Sequence, residues 1–216
     1  MTEQTIEYGS LEWRKQRLGN FTASEIYKLM GARGGVETQT AQSYILEKVA
    51  EVLTGIPADM GFTGSAATEW GVQHEPDARE YYEIAFRCEV DLTGYIVADF
   101  APEAGGTPDG IIAAKNKGIE IKCPYNSMNH IRYLMIKNTN QLKIISPQYY
   151  WQVQMYMMLS YLDEWDFVSY DPRFTGKKRM FVFTVKRQDE AVARLKTNIL
   201  LAINQKHEIL QQIDKY

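Results

Sequence analysis

The longest stretch of the chain without a charged side chain runs from Ile144 to Leu162. Its length would allow it to cross a bilayer, but it contains Pro147, Gln148, Gln152 and Gln154, whose polar groups are poorly tolerated in hydrocarbon. We therefore expect a buried amphipathic helix with proline in its first turn, and no membrane span. A helix of this kind needs a protein core around it, so the chain is expected to be globular.

The composition excludes several other classes of protein. At 216 residues, 45% hydrophobic and 24% charged, the chain is expected to be one domain that is neither disordered nor fibrous. Cys88 and Cys123 are too few for a disulfide scaffold, a zinc finger or an iron–sulfur cluster built from cysteine alone. The first ten residues, MTEQTIEYGS, lack the basic and apolar regions of a secretory signal, so we expect a cytoplasmic protein.

The net charge of −3 conceals an uneven distribution of charge along the chain. Residues 51–100 contain two basic and ten acidic side chains, whereas residues 101–150 contain six basic and three acidic ones. Mild overall acidity therefore does not exclude a nucleic-acid enzyme. It predicts instead that the positive surface is confined to part of the molecule.

The hydrophobic periodicity predicts helices, then strands, then helices mixed with strands. Helices are expected over residues 10–19, 22–31, 40–53, 66–86, 127–137, 147–162 and 188–216, with a kink or break at Pro76 and a capping box from Thr22 to Glu25. Strands are expected over residues 95–100, 110–114, 118–122, 165–171 and 179–187. The first three of these predict an antiparallel meander with a hairpin turn at 115–118. The order of elements predicts an α/β fold with a central mixed β-sheet flanked by α-helices.

Two of these strands carry the strongest chemical signal. Alternation along the strand at 118–122 places Glu120 and Lys122 on one face, and pairing with the preceding strand would bring Asp109 close to Glu120. Two carboxylates suit a hard cation such as Mg²⁺, and the lysine could orient a water or stabilise the transition state of phosphodiester hydrolysis. Solvated charges on a sheet face would show the same pattern, so these residues alone leave both interpretations open.

Longer patterns around these residues resemble a known family. Pro108-Asp109 followed by Glu120-x-Lys122 resembles the PD-(D/E)xK nuclease signature. Further blocks of the chain, in the same order, resemble the lambda exonuclease family of YqaJ-like phage recombination exonucleases: WRKQRLG at 13–19, TASE at 22–25, WGVQHEPDAR at 70–79, EIKCP at 120–124, QVQ at 152–154 and YDPR at 170–173. The resemblance covers roughly residues 10–190 and implies a restriction-endonuclease-like core.

The resemblance also implies roles for individual residues. Metal ligands are expected at Asp109, Glu120, the Ile121 backbone carbonyl and Glu75, and Lys122 matches the catalytic lysine. The other matching residues are Gln152 and Gln154, in a glutamine motif completed by Tyr156, and Arg17, Ser24 and Thr107, which would hold a 5′-phosphate, with Thr107 standing where serine is usual.

Simpler interpretations of these residues exist. Glu75 could lie on a solvated helix face, Arg17 could stack on Trp13, and Ser24 could be a helix cap. Because Gln152 and Gln154 are two residues apart in a helix, at most one of them is expected to face a metal.

The function that the resemblance implies is degradation of linear double-stranded DNA. The expected enzyme is a Mg²⁺-dependent 5′-to-3′ exonuclease, with Mn²⁺ able to substitute, that releases mononucleotides and leaves 3′ single strands for recombination by strand annealing. A single nuclease domain over residues 1–216 is expected, with a helical part at 10–86, a catalytic core at 87–187 and a closing helix at 188–216.

The implied partners are DNA ends, two further copies of the chain in a ring-shaped homotrimer and a phage single-strand annealing protein. The setting would be the host cytoplasm if the protein is phage-encoded. Two alternatives remain: a structure-specific endonuclease or resolvase of the same fold, and a DNA-end-binding module.

Overall fold

The structure is a computed structural model that describes residues 10–31, 35–59 and 64–215. The α-helices are α1 (Leu11–Gln16), α2 (Gln39–Thr54), α3 (Ala66–Phe86), α4 (Ser127–Leu134), α5 (Thr139–Ile145), α6 (Pro147–Ser160) and α7 (Asp189–Ile213). The β-strands are β1 (Phe21–Thr22), β2 (Ile96–Ala98), β3 (Ala101–Gly106), β4 (Gly110–Ile112), β5 (Lys117–Lys122), β6 (Glu164–Tyr170) and β7 (Met180–Lys186). Short 3-10 helices lie at Ile26–Leu29, Gly35–Glu37, Ala113–Lys115 and Gly176–Lys178.

The described strands form two sheets instead of the single meander predicted. A four-stranded mixed sheet has the order β4-β5-β6-β7, with β5 and β6 parallel and the other pairs antiparallel. A three-stranded sheet has the order β1-β3-β2. The meander prediction was wrong because β3, rich in glycine and containing Pro102, has no strand signature and takes the place beside β2. The segment Thr107–Asp109 then leads from one sheet to the other.

The hairpin between β4 and β5 turns earlier than predicted. A 3-10 helix at Ala113–Lys115 makes the turn, and Asn116 adopts the left-handed conformation with φ of 51°. Asparagine tolerates this conformation better than most residues. Consequently Lys117 and Gly118, which the sequence placed in the turn, belong to β5, and Gly110 pairs with Ile119.

Helix α6 contains the uncharged stretch and lies in the middle of the molecule. Each side chain from Tyr150 to Leu159 is buried, including Gln152 and Gln154. The helix is therefore buried on all sides, and the expectation of an amphipathic helix was wrong. Its two internal glutamines are tolerated because both form hydrogen bonds, which offset the free-energy cost of burying an amide.

The helical predictions differ from the structure in three further places. Helix α3 continues through Pro76 without a break, and α5 is an additional helix that the sequence analysis did not predict. Thr22 lies in β1, where its backbone N–H donates to the Tyr44 hydroxyl at 3.1 Å, so the predicted capping box does not form. Of the helix predicted over residues 22–31, only the 3-10 helix at Ile26–Leu29 is present. The tertiary pairing of β1 with β3 outweighs the local capping pattern.

Two apolar clusters lie on opposite faces of the four-stranded sheet. One combines α3 with β4, β5 and β6 through residues such as Tyr82, Ile119 and Val168. The other joins the opposite face, through Phe167, to α6, α7 and the three-stranded sheet. Among the helices in the described ranges, none is long and apolar enough to cross a membrane. The strand ends between α3 and α6 are the place where the predicted site residues meet.

Candidate active site

Strand β5 presents Glu120 and Lys122 on the face that is turned toward α6. Glu120 is fully buried, and the Lys122 ammonium group forms an ion pair with its carboxylate. The Lys122 Nζ atom also lies 5.2 Å from the centre of the Tyr149 ring of α6. As predicted, the two side chains lie on one face of the strand, and Ile119 and Ile121 pack on the opposite face.

Asp109 is held directly against the same strand. Its Oδ2 atom accepts a hydrogen bond from the backbone N–H of Ile121 at 2.6 Å. Strand β4 begins at Gly110, which pairs with Ile119, so Ile121 lies beyond the paired part of the two strands. Since the N–H and C=O groups of one strand residue face the same edge, the Ile121 carbonyl is also directed toward this end of β4, where no strand partner is paired with it.

Glu75 approaches the cluster from α3. Its carboxylate pairs with Arg79, four residues further along the helix, with an Nη2–Oε1 distance of 2.6 Å. Burial raises the pKa of Glu75, and the negative charge of Asp109 raises it further, which shows that the two carboxylates influence each other. Glu75 is therefore part of the charged cluster and does not lie on a freely solvated helix face.

The cluster contains three carboxylates, those of Glu75, Asp109 and Glu120, whose negative charges are only partly balanced by nearby cations. Burial raises the pKa of Asp109, and burial together with the charge of Asp109 raises the pKa of Glu120 to about 8. Burial alone would lower the pKa of Lys122, but Glu120 and Asp109 more than offset this and raise it well above its ordinary value. An additional cation would be stabilised at this position.

The Glu120 carboxylate has the character expected of a metal ligand. Both of its oxygens are buried; Oε1 contacts the Lys122 ammonium group, and Oε2 has no hydrogen-bond partner. Within the described ranges, no group of three or more His, Cys, Asp or Glu side chains is already arranged around a common point for a metal ion. The carboxylates are instead turned toward Lys122, Arg79 and the Ile121 amide. The oxygen-rich donor set and the unpartnered Glu120 Oε2 fit a hard divalent cation.

The two glutamines of α6 point to different places. The Gln152 amide donates to the Tyr156 hydroxyl at 3.1 Å, and that hydroxyl donates to the Thr107 carbonyl at 2.9 Å, two residues before Asp109. Gln154 instead joins β7 to α7, because it donates to the Lys186 carbonyl and accepts from the Gln188 amide, both at 2.9 Å. The structure therefore brings Gln152 toward the carboxylates and does not bring Gln154 there.

Arg17 and Ser24 lie together on the lining of a cleft of about 440 Å³. The Arg17 guanidinium group donates to the Ser24 hydroxyl at 3.2 Å and lies 4.0 Å from the centre of the Trp13 ring. The two residues predicted to hold a 5′-phosphate thus lie together, and Arg17 also stacks on Trp13 as the simpler interpretation expects.

The cleft and the carboxylates are connected through the pairing of β1 with β3. The two strands are parallel and Thr22 pairs with Gly105. Ser24 and Thr107, each two residues further along its chain segment, therefore come after the same end of this strand pair. The Thr107 hydroxyl is buried without a hydrogen-bond partner. The carboxylates themselves do not line the cleft, so the two predicted sites are neighbouring surfaces joined by the Thr107–Asp109 segment.

Two contributors to the cluster were not singled out from the sequence. Arg79 pairs with Glu75, and the spacing of four residues on a helix is a signal that could have identified it. Tyr149 contacts Lys122 through its ring, and nothing in the sequence distinguishes it from the other aromatic residues of α6.

The comparisons with known proteins identify the family and the fold of the chain. Residues 12–163 match the model of the YqaJ-like viral recombinase domain, which is more than half of the chain. The protein therefore belongs to the YqaJ-like viral recombinase domain family.

Among solved structures, an alkaline exonuclease (LHK-Exo) from Laribacter hongkongensis, also solved in complex with dAMP, superposes with a TM-score of 0.80 at 28% identity. The match covers 95% of this chain and 97% of that one. A phage-related exonuclease from Haemophilus somnus 129PT shares the fold, with a TM-score of 0.74 at 16% identity over 90% of this chain and 96% of that one. No curated protein matches the chain. The predicted family and fold class are confirmed, and both solved relatives are exonucleases, the enzyme class predicted from the sequence.

Proposed function

We propose that this protein is a metal-dependent exonuclease that digests one strand of linear double-stranded DNA from its 5′ end. It would release mononucleotides and leave 3′ single-stranded tails for recombination by strand annealing. The observation that carries this proposal is the meeting of Asp109, Glu120 and Lys122 at one end of β5, where the Glu120 carboxylate is buried with Lys122 as its partner on one oxygen and none on the other. The complex of the Laribacter exonuclease with dAMP, a mononucleotide, is consistent with this product.

Mg²⁺, with Mn²⁺ as a substitute, is the proposed cofactor. Asp109, Glu120, the Ile121 carbonyl and Glu75 would hold it, and the chemistry supplied by such a cation is polarisation of the scissile phosphate and activation of water. To reach it, Glu120 would turn from Lys122 and Glu75 from Arg79, because both carboxylates are paired with these cations in the structure. The freed Lys122 ammonium would then be available to stabilise negative charge on the phosphate.

The residues of this chain also suggest how a strand end is held. Arg17 and Ser24 would bind the terminal 5′-phosphate in the cleft, and the unpartnered Thr107 hydroxyl would donate to the same phosphate from the segment that leads to Asp109. Bidentate donation from a guanidinium group suits a phosphate. Gln152 would act through Tyr156 by fixing the Thr107 carbonyl, whereas a direct catalytic role for Gln154 finds no support in its contacts.

The remaining parts of the proposal concern assembly. We infer a single nuclease domain, a homotrimeric ring around the DNA, an annealing protein as partner and action in the host cytoplasm. The support for these is membership of the YqaJ-like viral recombinase domain family.

The experiment that tests this function is product analysis on a linear duplex labelled separately at each end. We expect mononucleotides to appear only with Mg²⁺ or Mn²⁺, and the 5′-terminal nucleotide to be released first. Ends carrying a 5′-phosphate should be digested faster than ends with a 5′-hydroxyl. Cleavage of closed circular duplex as fast as linear duplex would instead indicate the endonuclease alternative, and binding without any hydrolysis would indicate the end-binding module.

A further inference from the structure

A strongly basic loop connects β6 to β7. Residues 173–179, with the sequence RFTGKKR, contain four basic side chains and no acidic one. We propose that this basic loop is a contact surface for the sugar-phosphate backbone of duplex DNA beside the carboxylate cluster. The inference rests on the proposed function, because it extends the DNA-binding surface of the same site to a segment outside the predicted site residues.

The location of the basic loop follows from the sheet. Strands β5 and β6 are parallel, and Lys122 pairs with Ser169, so the chain leaves β6 at the edge of the sheet where Lys122 lies. The first residue of the loop, Arg173, donates hydrogen bonds of 3.0 Å to the carbonyls of Pro124 and Tyr125. The loop is therefore attached to the segment that directly follows the predicted catalytic lysine.

The lysines of the basic loop are available for an external partner. Arg173 is paired with the buried carboxylate of Asp171. Lys177 and Lys178 are exposed, and no carboxylate of the described part of the chain lies within 4 Å of either ammonium group. Uncompensated positive charge at the surface is the feature that attracts phosphates, which it binds by releasing their counterions.

The backbone of the basic loop is fixed in advance. The Lys178 amide donates to the Thr175 carbonyl at 3.3 Å, and a 3-10 helix forms at Gly176–Lys178. The buried His130 ring connects the Ser169 hydroxyl and the Lys178 carbonyl, with distances of 2.7 Å on each side. A preformed loop loses less conformational entropy on binding than a flexible one, so its charges can contribute to affinity.

Phosphate contacts of this kind are independent of DNA sequence and dominate the salt dependence of binding. The test measures the affinity of the full-length protein for a labelled 24-base-pair duplex in Ca²⁺, in place of Mg²⁺, at several KCl concentrations. Each phosphate contact contributes about 0.9 to the slope of log affinity against log salt. The double substitution Lys177→Gln with Lys178→Gln should therefore reduce the slope by about 1.8. When the KCl concentration is raised fourfold, the affinity of the unmodified protein should then fall by roughly tenfold more than the affinity of the variant.

Two matched variants control for charge and for folding. Lys177→Arg with Lys178→Arg should restore the slope. Lys186→Gln with Lys196→Gln removes the same amount of charge at positions away from the basic loop. Lys186 lies at the far end of β7, and Lys196 packs on Phe100. This control should leave the slope unchanged. Melting temperatures equal to that of the unmodified protein would show that all variants are folded.

The outcomes separate this inference from the function on which it rests. An unchanged slope in the Lys177→Gln, Lys178→Gln protein would overturn the proposal, and would be expected if the basic loop binds an acidic protein instead of DNA. An equal reduction in the Lys186→Gln, Lys196→Gln control would also overturn it, since the effect would then reflect net charge alone. Failure of the unmodified protein to hydrolyse duplex in Mg²⁺ would contradict the proposed function, whatever the slopes show.

Discussion

Glu120 and Asp166 are both fully buried carboxylates on neighbouring strands of one sheet, but their surroundings differ. Asp166 faces α3 and accepts hydrogen bonds from the Tyr82 hydroxyl at 2.5 Å and the Thr184 hydroxyl at 2.6 Å, and it pairs with Lys117 at 2.5 Å. Glu120 faces α6; one of its oxygens contacts the Lys122 ammonium group, and the other has no hydrogen-bond partner.

The difference separates a structural carboxylate from one suited to bind a cation. Burying a charge is costly unless hydrogen bonds and opposite charges compensate it. Asp166 has this compensation within the fold, so its charge is accounted for by structure alone. Glu120 has only Lys122 beside it and two further carboxylates, Asp109 and Glu75, whose charges oppose its ionisation. A divalent cation would remove that conflict.

The largest expected effect is on hydrolysis by the Lys122→Ala protein. Removing the ammonium group takes away positive charge near the reacting phosphate, and loss of one such electrostatic contact typically lowers the rate by about 10²- to 10³-fold. Single-turnover digestion of a 5′-phosphorylated duplex measures the rate, and fluorescence anisotropy in Ca²⁺ should show that DNA ends are still bound. The Lys117→Ala protein, which loses the lysine beside Asp166, serves as the comparison and should retain hydrolysis while it remains folded.

The second effect is on stability and sharpens the contrast between the two carboxylates. Asp166→Ala should lower the free energy of unfolding by about 3–5 kcal/mol, because it leaves Lys117 and two hydroxyl groups without their buried partner. Glu120→Gln should destabilise the metal-free protein much less at pH 8, since Asp109 still compensates the charge of Lys122 and the carboxylate that is removed is opposed by Asp109 and Glu75. Urea denaturation of each variant in EDTA provides the comparison, and equal destabilisation by both substitutions would show that the carboxylates do not differ as described.

The third effect is the dependence of stability on pH in the absence of metal. Because burial raises the pKa of Glu120 to about 8, the folded state holds a proton that the unfolded chain releases at a lower pH. The free energy of unfolding of the unmodified protein, relative to that of Glu120→Gln, should therefore fall as the pH rises from about 5 to about 8. Denaturant unfolding at several pH values measures this difference. A relative stability that increased over the same interval would contradict the raised pKa of Glu120.

The smallest expected effects distinguish the two glutamines of α6. Gln154→Ala leaves the Lys186 carbonyl and the Gln188 amide without a partner and should lower the free energy of unfolding by about 1–3 kcal/mol, with little change in hydrolysis by the folded protein. Gln152→Ala should lower hydrolysis about 10-fold through the loss of its support for Tyr156. Thermal unfolding and the digestion assay applied to both proteins test this, and the reverse assignment would show that Gln154 is the residue that acts at the site.

Sequence reasoning identified the site better than it identified the sheets around it. Asp109, Glu120 and Lys122 could be placed together because strand alternation and hairpin spacing are local properties of the chain. The division into two sheets could not be predicted, since β3 contains Pro102 and glycines and is a strand only because β1 and β2 pair with it. The position of Thr22 in β1 has the same cause.

The difference between the surroundings of Glu120 and Asp166 also could not be predicted from the sequence. Asp166 belongs to an alternating strand and carries no mark of its partners, which come from α3, β5 and β7. Gln152 and Gln154 could be predicted to face different directions, but which of them faces the carboxylates depends on how α6 is rotated in the core. Tertiary packing decides this rotation, because α6 is buried on all sides and has no polar face to orient it.

The most direct test of the account is Mn²⁺ binding to the DNA-free protein, measured by titration calorimetry on the unmodified protein and on Glu120→Gln and Asp166→Asn. Both substitutions remove one buried negative charge with almost no change in shape. We predict that Glu120→Gln abolishes or weakens Mn²⁺ binding at least tenfold, whereas Asp166→Asn, checked for folding by circular dichroism, retains the affinity of the unmodified protein. Unchanged Mn²⁺ affinity in Glu120→Gln would contradict the claim that the incompletely compensated carboxylate of β5 is part of the cation site.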